Sequence, residues 1–148
     1  IDKKSTGVLP ITDPEMTRFN ISLIESVEMV MYALFNSWGG DIFIPKIPSY
    51  RILDVAKAIA PECKYKVIGV RPGEKLHEEM ITSSDSMNTF DLGNYYVILP
   101  SSPGWLLDEF IRKSGAIKVE KGFSYNSFEN TEWLTIEDLK VLIKKNVL

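Results

Sequence analysis

Apolar and polar positions along this chain repeat with two periods, and these periods predict helices separated by short strands. Apolar residues at helical spacing predict helices after the N-cap residues Ser22, Ser49 and Thr135, a short helix over 75–81 and a helical turn over 105–110. Short apolar runs predict strands over 8–11, 42–44, 66–70 and 95–99, and the remaining stretches 1–7 and 82–94 are expected to be loops. Because helices and strands alternate without a repeat or a linker, the pattern favours an α/β fold in one domain over 1–148.

Net charge and hydropathy argue against nucleic acid and membrane as partners of this chain. The 148 residues include 17 Lys and Arg against 20 Asp and Glu, which gives a formal net charge of −3. This balance lacks the basic surface that nucleic-acid binding requires, so we expect no nucleic-acid partner. No apolar run reaches the ~20 residues that cross a bilayer, and no signal peptide opens the sequence. We therefore expect no membrane partner and a cytoplasmic location.

Cys63 and His77 are the only cysteine and the only histidine of the sequence. A single cysteine cannot form a disulfide within the chain, and this pair cannot supply the ligands of a zinc site, so no metal is expected. A nucleophilic Cys63–His77 pair is one alternative. The favoured interpretation of Cys63 is a small, half-buried thiol at the end of the second helix.

Residues 71–74, Arg-Pro-Gly-Glu, directly follow a predicted strand and carry the clearest functional signal. Open α/β sheets bind ligands at the carboxyl ends of their strands, and a guanidinium can hold phosphate with two parallel hydrogen bonds. Glu74 could accept hydrogen bonds from sugar hydroxyls. Arg18, from a separate loop, would complete a diphosphate clamp if it met Arg71. The alternatives are a β-turn with a solvated ion pair and a surface pair of Arg18 with Glu15.

Several segments occur in an order that resembles a known family. They are residues 9–19 (LPITDPEMTRF), 44–49 (IPKIPS), 59–64 (IAPECK), 69–78 (GVRPGEKLHE), 95–98 (YYVI) and 130–135 (NTEWLT). Together they resemble the C-terminal part of the inverting UDP-N-acetylglucosamine 4,6-dehydratases, extended short-chain dehydrogenases/reductases that make nucleotide sugars for polysaccharides and flagellin glycans. The resemblance implies that the chain is the α/β substrate-binding portion of such an enzyme and a single, incomplete domain over 1–148.

The resemblance also implies roles for individual residues. Arg18 and Arg71 would bind the diphosphate of the UDP-sugar, and Glu74 would bind the ribose hydroxyls. The backbone around Val8 would line the uracil pocket. Asn20 departs from the family pattern, in which an aromatic residue is expected after Phe19.

Two motifs of the superfamily are missing from the sequence. No Gly-x-Gly-x-x-Gly follows a strand, and none of the six tyrosines has a lysine four positions later. The resemblance therefore implies that the dinucleotide-binding domain and all catalytic residues belong to the rest of a parent enzyme, which would use NADP or NAD and form a homo-oligomer. This chain alone is expected to bind no cofactor. The parent would move hydride from sugar C4 to the nicotinamide, eliminate water across C5–C6 and return hydride to C6.

Two alternative functions stay open at this point. A UDP-sugar 4-epimerase or reductase of the same superfamily would share the scaffold, and the residues that separate these activities lie outside this sequence. From another class, the isolated chain could be a non-catalytic interaction module. In either case, we expect its helices to leave one apolar face uncovered where the dinucleotide-binding domain of a parent would pack.

Overall fold

A computed structural model describes residues 4–146, which divide into two compact units. The strands are Val8–Ile11 (β1), Thr17–Phe19 (β2), Ile42–Pro45 (β3), Ser49–Arg51 (β4), Lys64–Val67 (β5), Glu79–Ile81 (β6), Thr89–Asp91 (β7), Tyr95–Ile98 (β8), Ile117–Lys118 (β9) and Tyr125–Asn126 (β10). The helices are Leu23–Asn36 (α1), Ile52–Ile59 (α2), Leu107–Ser114 (α3) and Ile136–Asn146 (α4). Helices with parallel and antiparallel strand pairs confirm the predicted α/β class, whereas the single-domain organisation stays a prediction.

The first unit combines residues 4–20, 48–78 and 126–146. In it β1 and β5 pair in parallel along their whole length, and α2 packs on this pair and against α4. The core between them consists of buried small and aliphatic side chains: Leu9, Ile11, Ala56, Ala60 and Cys63. Because β1 and β5 are parallel, their carboxyl ends meet at one edge, and the chain leaves that edge toward β2 and toward Arg71.

The second unit combines residues 21–47 and 79–125 around an antiparallel sheet with the strand order β3-β8-β7-β9. Phe110 of α3 is 1% exposed and packs on this sheet among aromatic rings. Helix α1 contacts β3 but has no buried residue, and its apolar side chains Leu23, Leu34 and Phe35 are 81%, 70% and 76% exposed. This helix matches the expectation of an uncovered apolar face. Within residues 4–146, every helix is too short or too polar to cross a bilayer.

Several predicted elements are confirmed. Ser22 and Glu25 form the expected capping box at the start of α1, with both reciprocal hydrogen bonds present. Thr135 and Asp138 cap α4 in the same reciprocal way. The strands predicted over 8–11, 42–44 and 95–99 correspond to β1, β3 and β8, and the helical turn predicted over 105–110 overlaps the first four residues of α3. Residues 1–3 of the predicted N-terminal loop lie outside the described residues, and Lys4–Thr6 form a 3-10 turn.

Other predictions were wrong because tertiary hydrogen bonds override local preference. Ser49 does not cap α2: it is fully buried, begins β4 and exchanges backbone hydrogen bonds with residues 132 and 134. No helix forms over 75–81, where the carbonyl of Leu76 instead accepts from β2 and residues 79–81 form β6. The predicted loop over 82–94 contains a 3-10 turn and β7, and the strand predicted over 66–70 ends at Val67.

Candidate functional site

Residues 71–74 form a tight, exposed turn just beyond β5. Glu74 N–H donates to the Arg71 carbonyl at 3.0 Å, and Arg71 N–H donates to Oε2 of Glu74 at 3.0 Å. Pro72 and Gly73 occupy the central positions, and the φ of +86° at Gly73 is what a type II turn requires there. The Arg71 guanidinium has no hydrogen bond or ion pair with any residue in 4–146, so the turn is present without the side-chain ion pair of the alternative interpretation.

The Arg18 side chain, in contrast, is 19% exposed and bound on several sides. Its Nη1 donates to the Thr17 carbonyl at 2.6 Å and to the Leu76 carbonyl at 3.2 Å, and its Nη2 lies 3.1 Å from Met16 Sδ. Nε lies 3.6 Å from Oε1 of Glu78. Since a guanidinium has five N–H groups, one N–H on Nη2 has no partner among the described residues. Arg18 can therefore offer phosphate a single hydrogen bond without breaking an existing contact.

The Leu76 carbonyl links Arg18 to the segment that carries the other two candidates. It accepts from the Thr17 backbone N–H at 3.1 Å as well as from Arg18, so β2 runs beside residues 74–78. Leu76 lies two positions after Glu74, a distance of at most ~7 Å along an extended chain. The structure thus brings Arg18 beside this segment, although among the described residues no hydrogen bond or ion pair joins Arg18 to Arg71 or Glu74. The ionic partner of Arg18 is Glu78 and not Glu15.

Val8 lies apart from these three residues. It opens β1 at the amino end, whereas the others follow the carboxyl ends of β1 and β5. At ~3.3 Å per residue, β1 separates Val8 from that edge by roughly 10 Å. The Val8 carbonyl accepts from Oγ1 of Thr6 at 3.0 Å. The assignment of Val8 to a uracil pocket stays a prediction.

Tyr50 is a further candidate that the sequence did not indicate. It lies opposite Arg18 in the antiparallel β2–β4 pair. Burial, and then the charge of Glu78, raise the pKa of Tyr50, while the charge of Arg18 lowers it in part. The phenol is therefore neutral at physiological pH and able to donate a hydrogen bond beside Arg18. Tyr50 lies beside Arg18 only because of the pairing register of β2 and β4, and the sequence did not predict a strand at β4.

The alternative of a Cys63–His77 nucleophilic pair has no support in the structure. Cys63 is 6% exposed and packs as a small residue within the β1–α2 core, so it is buried rather than half-buried as predicted. His77 Nδ1 instead lies 2.8 Å from Oγ1 of Thr17. In the part of the chain that the structure describes, no group of three His, Cys, Asp or Glu side chains could hold a metal ion.

The described residues do not fit a dinucleotide cofactor. Such a cofactor needs a glycine-rich loop that leads from a parallel strand into a helix N-terminus. The loop over 12–16 after β1 has no glycine and enters β2. The loop over 68–74 after β5 contains Gly69 and Gly73, but within the described chain the next element is β6 and not a helix.

The fold has a counterpart among solved structures. The X-ray structure of Pen from Bacillus thuringiensis aligns with 97% of this chain and 43% of its own, with a TM-score of 0.77 and 25% sequence identity. This likeness defines the class as a portion of an extended short-chain dehydrogenase/reductase fold. The polysaccharide biosynthesis protein family matches residues 2–100, and the chain belongs to this family.

Curated relatives agree with this assignment. The inverting UDP-N-acetylglucosamine 4,6-dehydratase of Campylobacter jejuni is 45% identical in a match that covers 91% of this chain and 42% of the relative. The UDP-glucose 4-epimerase of Rickettsia canadensis is 37% identical over 139 residues, which cover 91% of this chain and 40% of the relative. The chain therefore spans well under half the length of these relatives, and the resemblance derived from its motifs is confirmed.

Proposed function

We propose that this chain is the UDP-binding part of a UDP-N-acetylglucosamine 4,6-dehydratase that acts in polysaccharide or glycan biosynthesis. The observation that carries the proposal is the exposed Arg71 guanidinium at the carboxyl edge of the parallel β1–β5 pair, unpaired within residues 4–146. Because no ion pair has to break, this group can take up phosphate at little cost. Identity of 45% to the Campylobacter jejuni dehydratase supports the choice of reaction.

The candidate residues would bind different parts of the nucleotide. Arg71 would hold the diphosphate with two parallel hydrogen bonds, and Arg18 would add one from Nη2. Glu74 uses Oε2 to close its own turn, which leaves Oε1 for a ribose hydroxyl. The uracil pocket near Val8 rests on the family resemblance alone.

In this proposal the residues of the chain bind and orient the substrate without taking part in proton or hydride transfer. Fixing the nucleotide limits where the sugar can go, which lowers the entropic part of the barrier at a reaction centre elsewhere in the parent. NADP or NAD would supply the hydride chemistry from the parent's dinucleotide-binding domain. No residue of this chain is assigned to that cofactor.

Incubation of the full-length parent with UDP-N-acetylglucosamine tests the reaction. We expect a 4-keto-6-deoxy sugar nucleotide as the product. The second candidate is a 4-epimerase, which the 37% identity to UDP-glucose 4-epimerase favours. Formation of UDP-N-acetylgalactosamine alone would contradict the dehydratase and support the epimerase.

The apolar face of α1 would be the contact surface for the parent's dinucleotide-binding domain. Leu34 and Phe35 are 70% and 76% exposed, and contiguous apolar exposure of this kind is typical of an interface. The isolated chain should consequently bind a hydrophobic dye. An isolated chain that is monomeric and binds no dye would contradict this assignment. The homo-oligomeric state and the cytoplasmic location of the parent stay predictions.

A further inference from the structure

Three polar side chains form a continuous hydrogen-bond chain inside the first unit. Thr17 Oγ1 lies 2.7 Å from Ser127 Oγ and 2.8 Å from His77 Nδ1, and Ser127 Oγ accepts from the Glu78 backbone N–H at 2.9 Å. Thr17 is 1% exposed and Ser127 is 0% exposed, so water cannot replace these contacts. The His77 ring is held from its other side by Phe128, with the ring centroids 4.6 Å apart.

Which group donates and which accepts in this hydrogen-bond chain can be argued from the number of hydroxyl protons. If Ser127 donates to Thr17 and Thr17 donates to His77, each hydroxyl proton has an acceptor. If the direction is reversed, Ser127 accepts from both Thr17 and the Glu78 N–H, and no acceptor among the described residues is left for its own proton. A buried donor without an acceptor costs roughly 1–3 kcal/mol. This cost favours the first direction, in which Nδ1 of His77 accepts and the ring proton is on Nε2.

The Ser127–Thr17–His77 hydrogen-bond chain lies on the opposite face of β2 from Arg18. Thr17 and Arg18 are successive residues of β2, so their side chains point to opposite faces. His77 contacts Thr17 on one face, and Glu78 contacts Arg18 on the other. On that second face Glu78 pairs with Arg18 through Oε1 and accepts the Phe19 N–H through Oε2 at 2.8 Å. The alignment of β2 with residues 76–78 is thus fixed from both faces.

We propose that the Ser127–Thr17–His77 hydrogen-bond chain positions Arg18 for the nucleotide, with His77 held as the tautomer protonated on Nε2. A shift of β2 against residues 76–78 would move the Leu76 carbonyl and the Glu78 carboxylate, the two groups from that segment that hold the guanidinium. Thr17, His77 and Ser127 are positioning residues in this scheme. The inference rests on the proposed function only for the identity of the ligand.

Nuclear magnetic resonance can read both parts of the proposal without any ligand. Since His77 is the only histidine, its ring ¹⁵N signals are unambiguous, and we expect an unprotonated Nδ1 and a protonated Nε2. The Arg18 Nε–H signal should exchange slowly with water in the wild type. In Thr17→Val, which keeps the shape but removes the hydroxyl, exchange should become at least about fivefold faster, and Thr17→Ser should restore it. Ser127→Ala is the second variant if Thr17→Val does not fold.

A matched control separates positioning from a general loss of stability. Thr89 in the second unit is also fully buried, and its hydroxyl donates to the Asp85 carbonyl at 2.7 Å. Thr89→Val should leave the Arg18 signal unchanged, and its affinity for UDP should match the wild type, whereas Thr17→Val should weaken UDP binding by about threefold to tenfold. A protonated Nδ1, or an Arg18 signal unchanged from the wild type in a folded Thr17→Val or, if that variant does not fold, in Ser127→Ala, would overturn this inference. Failure of the wild-type chain to bind UDP would instead contradict the proposed function.

Discussion

The segment from Arg71 to Glu78 consists of two halves with opposite properties. Residues 71–74 are exposed, and their hydrogen bonds stay within the turn. Residues 76–78 bind outside their own segment, where they contact β2, the Arg18 guanidinium and Ser127. The first half offers an unpaired cation to solvent, and the second half anchors the segment.

This difference shows how a short loop can be both accessible and fixed in place. An exposed arginine on a mobile loop would lose conformational freedom on binding phosphate, and this loss would weaken the affinity. Here the turn of residues 71–74 ends at Glu74, two positions before an anchored carbonyl at Leu76. The two arginines consequently have different parts to play. In the proposed function Arg71 would bind the diphosphate, whereas Arg18 would mainly hold β2 beside residues 76–78 and add one donor.

The largest expected effect is a difference in the free energy of unfolding between the Arg18→Ala and Arg71→Ala variants. Arg18→Ala should lower the free energy of unfolding by about 2–3 kcal/mol, because two carbonyls lose a charged donor and Glu78 loses its partner. Arg71→Ala should change it by less than about 0.5 kcal/mol. Urea denaturation of both variants measures the difference. Equal destabilisation by the two substitutions would remove the distinction between the two halves.

A smaller effect is expected at Gly73, which allows the turn to form. The positive φ of +86° strains any residue with a Cβ, although no atom lies within 4 Å of that position. Gly73→Ala should therefore cost about 1 kcal/mol from the backbone alone. Gly104→Ala is the control, since Gly104 also has open space around it but no positive φ. A cost at Gly104 equal to that at Gly73 would show that the strained turn is not the cause.

The smallest effect concerns Asp138, an exposed carboxylate that, unlike the Arg71 guanidinium, has partners. Hydrogen bonds from the Thr135 side chain and backbone lower the pKa of Asp138. A lowered pKa in the folded state gives a stabilising contribution that is complete above the unfolded pKa of ~3.9 and disappears as the pH falls below it. The difference in unfolding free energy between the wild type and Asp138→Asn should thus shrink as the pH falls from about 5 to about 3. A difference that is constant over this range would contradict the capping role.

Local signals in the sequence predicted the parts of this molecule that depend on neighbours in the chain. The capping boxes at Ser22 and Thr135 and the apolar runs of β1, β3 and β8 need only residues a few positions apart. The turn at Arg71, one of the interpretations that the sequence left open, also depends on neighbouring residues, because Pro and Gly prescribe its backbone angles.

Long-range hydrogen bonds account for what the sequence did not predict. Serine is a common N-cap residue, but backbone hydrogen bonds with residues 132 and 134 hold Ser49 in β4. Residues 75–81 have helical spacing, yet β2 binds the backbone of Leu76, Ser127 binds the backbone of Glu78, and residues 79–81 form β6. The contacts of Arg18 with Leu76 and Glu78 span about sixty positions of sequence, so neither could be inferred without a fold.

The most direct test of the central claim is a calorimetric titration of the 148-residue chain with UDP. We predict weak binding by the wild type, at least about tenfold weaker binding by Arg71→Ala, and unchanged binding by Arg112→Ala, which removes an exposed arginine from α3. Equal affinity of the wild type and Arg71→Ala would contradict the account, because the exposed guanidinium would then have no part in holding the nucleotide.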